Sequence, residues 1–146
     1  RIVFLADPAN PTGTWLPFTE VRRLHEALPP SVLFLLDGAY AEFARGLNGF
    51  GDGLELAREA SNILVTRTFS KIHGLAAERI GWGYGSAEAI AAMHRIRAPF
   101  CCTTAGQEAA IAALGAADFI AASREHNRVW RAWFKDEIAK LGNVGL

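Results

Sequence analysis

The sequence predicts an α/β fold, a mostly parallel sheet flanked by helices, and three observations predict it. First, the apolar runs Ile2–Leu5, Val32–Leu36 and Ile63–Thr66 are separated by helical patterns over Glu20–Leu28 and Gly53–Ala60. Strand, helix, strand, helix, strand is the order that gives right-handed crossovers and parallel pairing. Second, Val32–Leu36 is apolar at every position, as a strand covered on both faces is. Third, polar residues cluster just after each run, where open α/β sheets place their ligands.

Each element has a local cause. Ile2–Leu5 is followed by Asp7-Pro8-Ala9-Asn10-Pro11-Thr12-Gly13-Thr14, whose two prolines and glycine predict a tight, rigid turn. Asn10 precedes a proline, so it is expected to be extended, with its amide free for an outside partner. Thr19 is the expected cap of a helix over Glu20–Leu28, with Val21, Leu24 and Leu28 on one face and Pro29-Pro30 ending it. The run Val32–Leu36 ends in Asp37, a carboxylate that is costly at the tip of a buried strand unless something partners it. That partner is either the following turn or a cation-like ligand. Asp52 is the expected cap of the helix over Gly53–Ala60. Ile80-Gly81-Trp82-Gly83-Tyr84-Gly85 alternates glycine with bulky residues and predicts a strand with its backbone packed close. Its glycine spacing is not that of a dinucleotide fingerprint. Ser86 is the expected cap of a helix to Arg97, with Ile90, Met93 and Ile96 inward. Thr104 with Gln107 predicts a capping box opening a helix to Leu114. Asp118 is the expected cap of a last helix to about Leu141. Its stripe of Trp130, Trp133, Phe134, Ile138 and Leu141 is expected in the core or against another domain.

Composition sets the outer limits. The chain has 146 residues, 51% hydrophobic and 21% charged, as a soluble globular domain has. Its 15 basic and 15 acidic residues balance and form no basic block, so no nucleic-acid or anionic membrane partner is expected. No apolar run approaches the roughly 18 residues of a membrane span, and no signal peptide opens the chain. Cys101 and Cys102 are adjacent and cannot close a useful loop, so free thiols in a reducing, cytoplasmic compartment are expected. The histidines and cysteines show no metal-ligand spacing. The start at Arg1 without a methionine and the end at Gly145-Leu146, just past a helical pattern, read as those of an internal piece of a longer protein.

The chemistry converges after the third run. Lys71, the first of the lysines, follows Thr68-Phe69-Ser70 and precedes Arg79 by eight residues. An amine, two hydroxyls and a guanidinium suit a ligand with an aldehyde and a phosphate, such as pyridoxal phosphate. If the strands are parallel, Asn10, Asp37 with Tyr40, and Lys71 all fall at one edge of the sheet.

The ordered set Asn10-Pro11-Thr12-Gly13, Asp37-x-x-Tyr40, Ser70-Lys71 and Arg79 resembles the class I/II pyridoxal-phosphate-dependent aminotransferases, which have the aspartate aminotransferase fold. Asp37–Phe43, Thr68–Ala76 and Arg97–Phe100 are most similar to the branch of that family acting on histidinol phosphate. The resemblance covers essentially the whole chain. It implies that residues 1–117 are part of the large cofactor-binding domain of a fold-type I enzyme and that 118–146 begin the small C-terminal domain. It implies that Lys71 forms the Schiff base and moves the substrate proton, and that Asp37 pairs with the pyridine nitrogen. Tyr40 and Asn10 would donate to the phenolic oxygen, while Thr68, Ser70 and Arg79 would bind the phosphate. The implied substrates are an amino-phosphate and a 2-oxo acid, and the implied assembly of the longer protein is a homodimer. A decarboxylase of the same lineage, of the threonine-phosphate type, and a cofactor-binding piece without turnover share every one of these residues. Cys101, where the family commonly has asparagine, and Glu78, where an apolar residue is usual, depart from its pattern.

Overall fold

A computed structural model describes residues 1–142. The elements are β1 (Ile2–Ala6), α1 (Phe18–Glu26), β2 (Leu33–Asp37), α2 (Ala41–Ala44), α3 (Leu54–Glu59), β3 (Ile63–Thr68), β4 (Gly81–Gly85), α4 (Ala87–Ile96), α5 (Thr104–Leu114) and α6 (Ala117–Ala139), with a 3-10 turn over Ala76–Glu78. One four-stranded sheet has the order β1-β2-β3-β4. The first three strands are parallel, and β4 runs antiparallel to β3. The mostly parallel α/β sheet read from the sequence is therefore the fold.

Register decides which face each side chain takes. Val3 pairs with Phe34 and Phe34 with Ile63; Leu5 pairs with Leu36 and Leu36 with Val65. In-register neighbours on a sheet project to the same side. Phe34, Leu36, Ile63 and Val65 pack with Val21 of α1 and Leu56 and Ala57 of α3 into the main core. The opposite face is covered less evenly. Phe4 is 69% exposed, whereas Leu64 is buried. The continuous apolar run of β2 thus overstates its cover: its inner positions are buried and Leu33 and Leu35 only half-buried, because α1 and α3 both lie on the one side.

Gly81 and Gly85 of β4 have the steric role expected, whereas a Cβ at Gly83 would meet only ordinary contacts at 3.6 Å or more. A Cβ at Gly81 would lie 2.5 Å from the Arg67 carbonyl oxygen, and one at Gly85 would lie 2.8 Å from that of Ile63. No side chain fits so close to the neighbouring strand's backbone.

Several local expectations need correction. Thr19 lies inside α1, whose cap position is Pro17; the extended backbone that proline imposes starts the helix earlier. Thr103, not Thr104, caps α5, its hydroxyl accepting from the Gly106 N–H at 3.0 Å. Asp118 sits in the first turn of α6 rather than at its cap, which is Ala116. There its charge suits the positive end of the helix dipole. Ser86 caps α4 as expected, accepting from the Ala89 N–H. Asp52 is not the cap of α3: that position is Gly53, with φ +77°, and Asp52, one residue earlier, accepts from the Leu54 N–H at 3.2 Å. Ile96 is not inward, being 87% exposed; Met93 faces Gly83 of β4, where a Cβ would lie 3.6 Å from its Cε, but stays 40% exposed, because α4 lies beside the edge strand β4. The α6 aromatics are also outside the core of this chain. Trp130, Trp133 and Phe134 are each about half exposed and stack edge-to-face on one another. Residues 143–146, the end of the expected second domain, lie outside the described residues.

Candidate active site

Three parallel strands end at one edge of the sheet, at Ala6, Asp37 and Thr68. The fourth begins there, because Gly81 pairs with Thr68. Every residue singled out in the sequence belongs to a segment leaving or entering that edge.

Asp37 closes β2 and is exposed. Its Oδ1 accepts from the Thr66 hydroxyl on β3 and from the Ala39 N–H, both at 3.2 Å. Thr66 is the in-register partner of Asp37, so their side chains share a face. These two donors hold Oδ1, and Oδ2 has no hydrogen-bond partner among the described residues. Both readings of Asp37 therefore meet: the turn holds one oxygen, and the other is available to a ligand cation.

Lys71 is exposed and makes no ion pair among the described residues. Its Nζ lies over the Tyr40 ring, 5.3 Å from the centroid, a distance at which the ring face attracts a cation. Tyr40 stands at the cap position of α2, a four-residue helix too short to show periodicity in the sequence. Thr68, Ser70 and Arg79 form a chain of contacts. The Ser70 N–H donates to the Thr68 hydroxyl at 3.0 Å, and Arg79 Nη1 donates to the Ser70 hydroxyl at 3.1 Å and the Ala76 carbonyl at 2.7 Å. Arg79 has φ +53°. That left-handed backbone is uncommon away from glycine and lets the chain turn into β4 while the guanidinium points back to Ser70.

Asn10 is exposed on the turn after β1, which is closed by the Ala9 N–H donating to Thr14 and the Gly13 N–H to Ala9. Asn10 and Tyr40 line a cavity of about 350 Å³, with Asn127 and Arg131 of α6 opposite. Lys71 lines a neighbouring cavity of about 730 Å³ with Phe43, Phe119 and Trp130, and Asn127 and Arg131 reach this one too. The contacts thus join Asp37 with Thr66, Lys71 with Tyr40, and Thr68 with Ser70 and Arg79; Asn10 joins only through the cavity it shares with Tyr40.

Four residues around the site were missed in the sequence. Thr66 could have been found as the residue two before Thr68 on the same strand face. Arg67 could have been found as a charge inside an apolar strand. Asn127 and Arg131 carried no signal, because nothing in a sequence says where a distant helix lies. At the end of β1, Asp7 is 4% exposed. Its Oδ1 accepts from the Leu16 N–H at 2.9 Å, and Oδ2 has no partner. Burial pushes its carboxyl above the ordinary aspartate range, and the Leu16 bond only partly offsets this.

A free amine, a half-satisfied carboxylate, and hydroxyls beside a guanidinium stand together at the carboxyl edge of a parallel sheet, a place where open α/β sheets bind ligands, and their chemistry would suit a ligand with carbonyl, cationic and anionic parts. Residues 1–143 match the family model described as aminotransferase class I and II, and the chain belongs to that family. The similarity to individual members is high. The histidinol-phosphate aminotransferase of Sphingopyxis alaskensis is 60% identical over 146 residues, covering 100% of this chain and 39% of that protein. Histidinol-phosphate aminotransferase 1 of Caulobacter vibrioides is 58% identical over 142 residues, 97% of this chain and 39% of that one. The crystal structure of histidinol-phosphate aminotransferase from Sinorhizobium meliloti in complex with pyridoxal-5'-phosphate superposes with a TM-score of 0.77 at 36% identity. That match covers 84% of this chain and 33% of the other. The chain therefore spans 39% of the length of these curated relatives.

Proposed function

We propose that this chain carries the cofactor-anchoring part of a pyridoxal 5'-phosphate-dependent aminotransferase. The enzyme would move an amino group between an amino-phosphate such as histidinol phosphate and a 2-oxo acid such as 2-oxoglutarate, in histidine biosynthesis. The observation that carries the reading is the meeting, at one sheet edge, of the Lys71 amine over Tyr40, the Asp37 carboxylate held by Thr66, and the Ser70–Arg79 pair.

The donor set fits the cofactor. Lys71 is the amine that bonds to an aldehyde, and it is the base that would carry a proton from the substrate's α-carbon. Asp37, through its free oxygen, would hold a protonated ring nitrogen. Tyr40 and Asn10 would donate to the ring oxygen. Thr68, Ser70 and Arg79 would hold the phosphate, the guanidinium offering paired donors. The bound cofactor supplies the electron sink for the carbanion left when that proton moves. In this reading residues 1–117 belong to the cofactor-binding domain and 118–146 begin a second one. The longer protein is a cytoplasmic homodimer. No helix among the described residues is long and apolar enough to cross a membrane.

The test begins with the chain as it stands. Mixed with pyridoxal 5'-phosphate and reduced with borohydride, it should gain the cofactor's mass on the peptide holding Lys71, and Lys71→Ala should not. The longer protein, given histidinol phosphate and 2-oxoglutarate, should form glutamate. Release of carbon dioxide from a phospho-amino acid without glutamate would place it with the decarboxylases instead. Adduct at Lys71 with neither product would leave a cofactor-binding piece.

A further inference from the structure

Arg67 is a charge inside the main core. Its side chain is 3% exposed, and neighbouring positions of β3 explain why. Thr66 and Thr68 point to the face that carries Asp37, and Arg67, between them, points to the opposite face with Ile63 and Val65. From beneath the sheet edge its guanidinium reaches up to the chain leaving β2. Nη1 donates to the Gly38 carbonyl at 2.9 Å, and Nη2 donates to the Asp52 carbonyl at 2.9 Å. The Asp52 carboxylate lies 3.6 Å away and Glu42 Oε1 lies 3.9 Å away. A buried cation is tolerated when it is paired and hydrogen-bonded, and this one is both.

Gly38 stands between Asp37 and Tyr40, and it is shaped for this contact: a Cβ there would sit 1.7 Å from Arg67 Nη1. The Gly38 carbonyl that takes the guanidinium also accepts the Ala41 N–H at 3.0 Å, which starts α2. One planar cation thus fixes the turn running from Asp37 through Tyr40 to Glu42. The same β3 segment supplies Thr66, which holds the Asp37 carboxylate from the other face.

We infer that Arg67 is a positioning residue of the cofactor site: by clamping the Gly38 turn from below, it sets where Asp37 and Tyr40 stand relative to the bound ring. This rests on the functional reading above. Arg67 itself touches neither cofactor nor substrate. A lysine there keeps the charge but not the fork that spans two carbonyls.

The experiment uses the full chain as parent, Arg67→Lys and Gly38→Ala, with circular dichroism as the check on folding. Without cofactor, hydrogen exchange at the Ala39 and Ala41 amides should quicken about tenfold in both variants, as for the loss of one charge-assisted bond, while amides of the β1–β2 ladder stay as in the parent. With pyridoxal 5'-phosphate, both variants should still be reducible onto Lys71. They should bind roughly tenfold more weakly, and the pH midpoint of the bound cofactor's visible absorption should rise, because Tyr40 no longer stabilises the ring oxygenate. Parent-like exchange, or parent-like affinity together with a parent-like midpoint, overturns the assignment. Loss of fold in both variants overturns it too, leaving Arg67 a stability residue alone. If the parent forms no adduct at Lys71, it is the functional reading that fails, and the exchange measurement still decides whether Arg67 holds the turn.

Discussion

Asp37→Asn separates the charge of Asp37 from its place in the fold. The Asn side chain keeps the oxygen that accepts from Thr66 and Ala39 at 3.2 Å and exchanges only the free oxygen for an NH2. The site is exposed, so stability should change by less than about 0.5 kcal/mol. If Asp37 pairs with the ring nitrogen as proposed, what is lost is the attraction between two unit charges in contact, for which about 4 Å is a representative separation. That is about 1 kcal/mol in water and about 4 kcal/mol at a typical protein surface. The exposure of Asp37 favours the lower part of the range, about 1–2 kcal/mol, or roughly five- to thirtyfold in pyridoxal 5'-phosphate affinity. The assay is a titration of the chain with the cofactor, followed by absorbance and repeated across pH. The loss should shrink as pH rises and the ring nitrogen of the bound cofactor loses its proton. Parent-like affinity at every pH would refute the assignment of Asp37 to the ring nitrogen. A large loss of thermal stability would show instead that the carboxylate serves the turn.

Arg79→Ala should leave the melting temperature nearly unchanged, since the side chain is exposed, and weaken binding of pyridoxal 5'-phosphate by about 1.5 kcal/mol or more. Pyridoxal without the phosphate should bind both forms alike in the same titration. Phe34→Ala should cost about 3–5 kcal/mol in urea unfolding, because Phe34 is 0% exposed at the centre of the main core. Asp7→Asn should stabilise the chain at neutral pH. The folded-state pKa of Asp7 is raised, so burial favours its protonated form. The stability linked to that form is full below the ordinary aspartate pKa and is lost as pH rises through the raised one. The advantage of Asp7→Asn over the parent in urea unfolding should therefore be present at pH 7 and fade toward pH 4.

The strands were legible because each is a short apolar run with a polar stop, and the helices between them followed from spacing. What sequence could not settle was the choice between neighbours. Thr103 and Thr104 are both able caps, and only the residue with extended backbone performs the task. The inward face of α4 could not be read either. Ile96 fits a helical stripe, but a stripe gains cover only where another element lies against it, and Ile96 is 87% exposed. Of the two places expected for the α6 stripe, the core of this chain is not the one it takes, for the same reason: Trp130 and Trp133 are about half exposed and stack on each other. α2 was invisible because four residues cannot display a 3.6-residue period.

The candidate residues share an edge for a topological reason that individual motifs do not contain. Parallel strands deliver every carboxyl end to the same side, so the segments after β1, β2 and β3 must converge whatever their sequences are. Arg79 is different, because it precedes a strand. It reaches the edge only because β4 runs antiparallel, starting at Gly81 beside Thr68 where β3 stops. Had β4 been a further parallel strand, its first residues would lie at the far end of the sheet and Arg79 could not meet Ser70. The direction of β4 and the close approach that Gly81 permits are therefore conditions for a guanidinium beside Thr68 and Ser70. This predicts that Gly81→Ala, which would put a Cβ 2.5 Å from the Arg67 carbonyl, disturbs the Arg79 end of the site as well as the sheet. Binding of the phosphorylated cofactor should then fall more than binding of pyridoxal. Equal losses for the two ligands would show that β4 does not position Arg79.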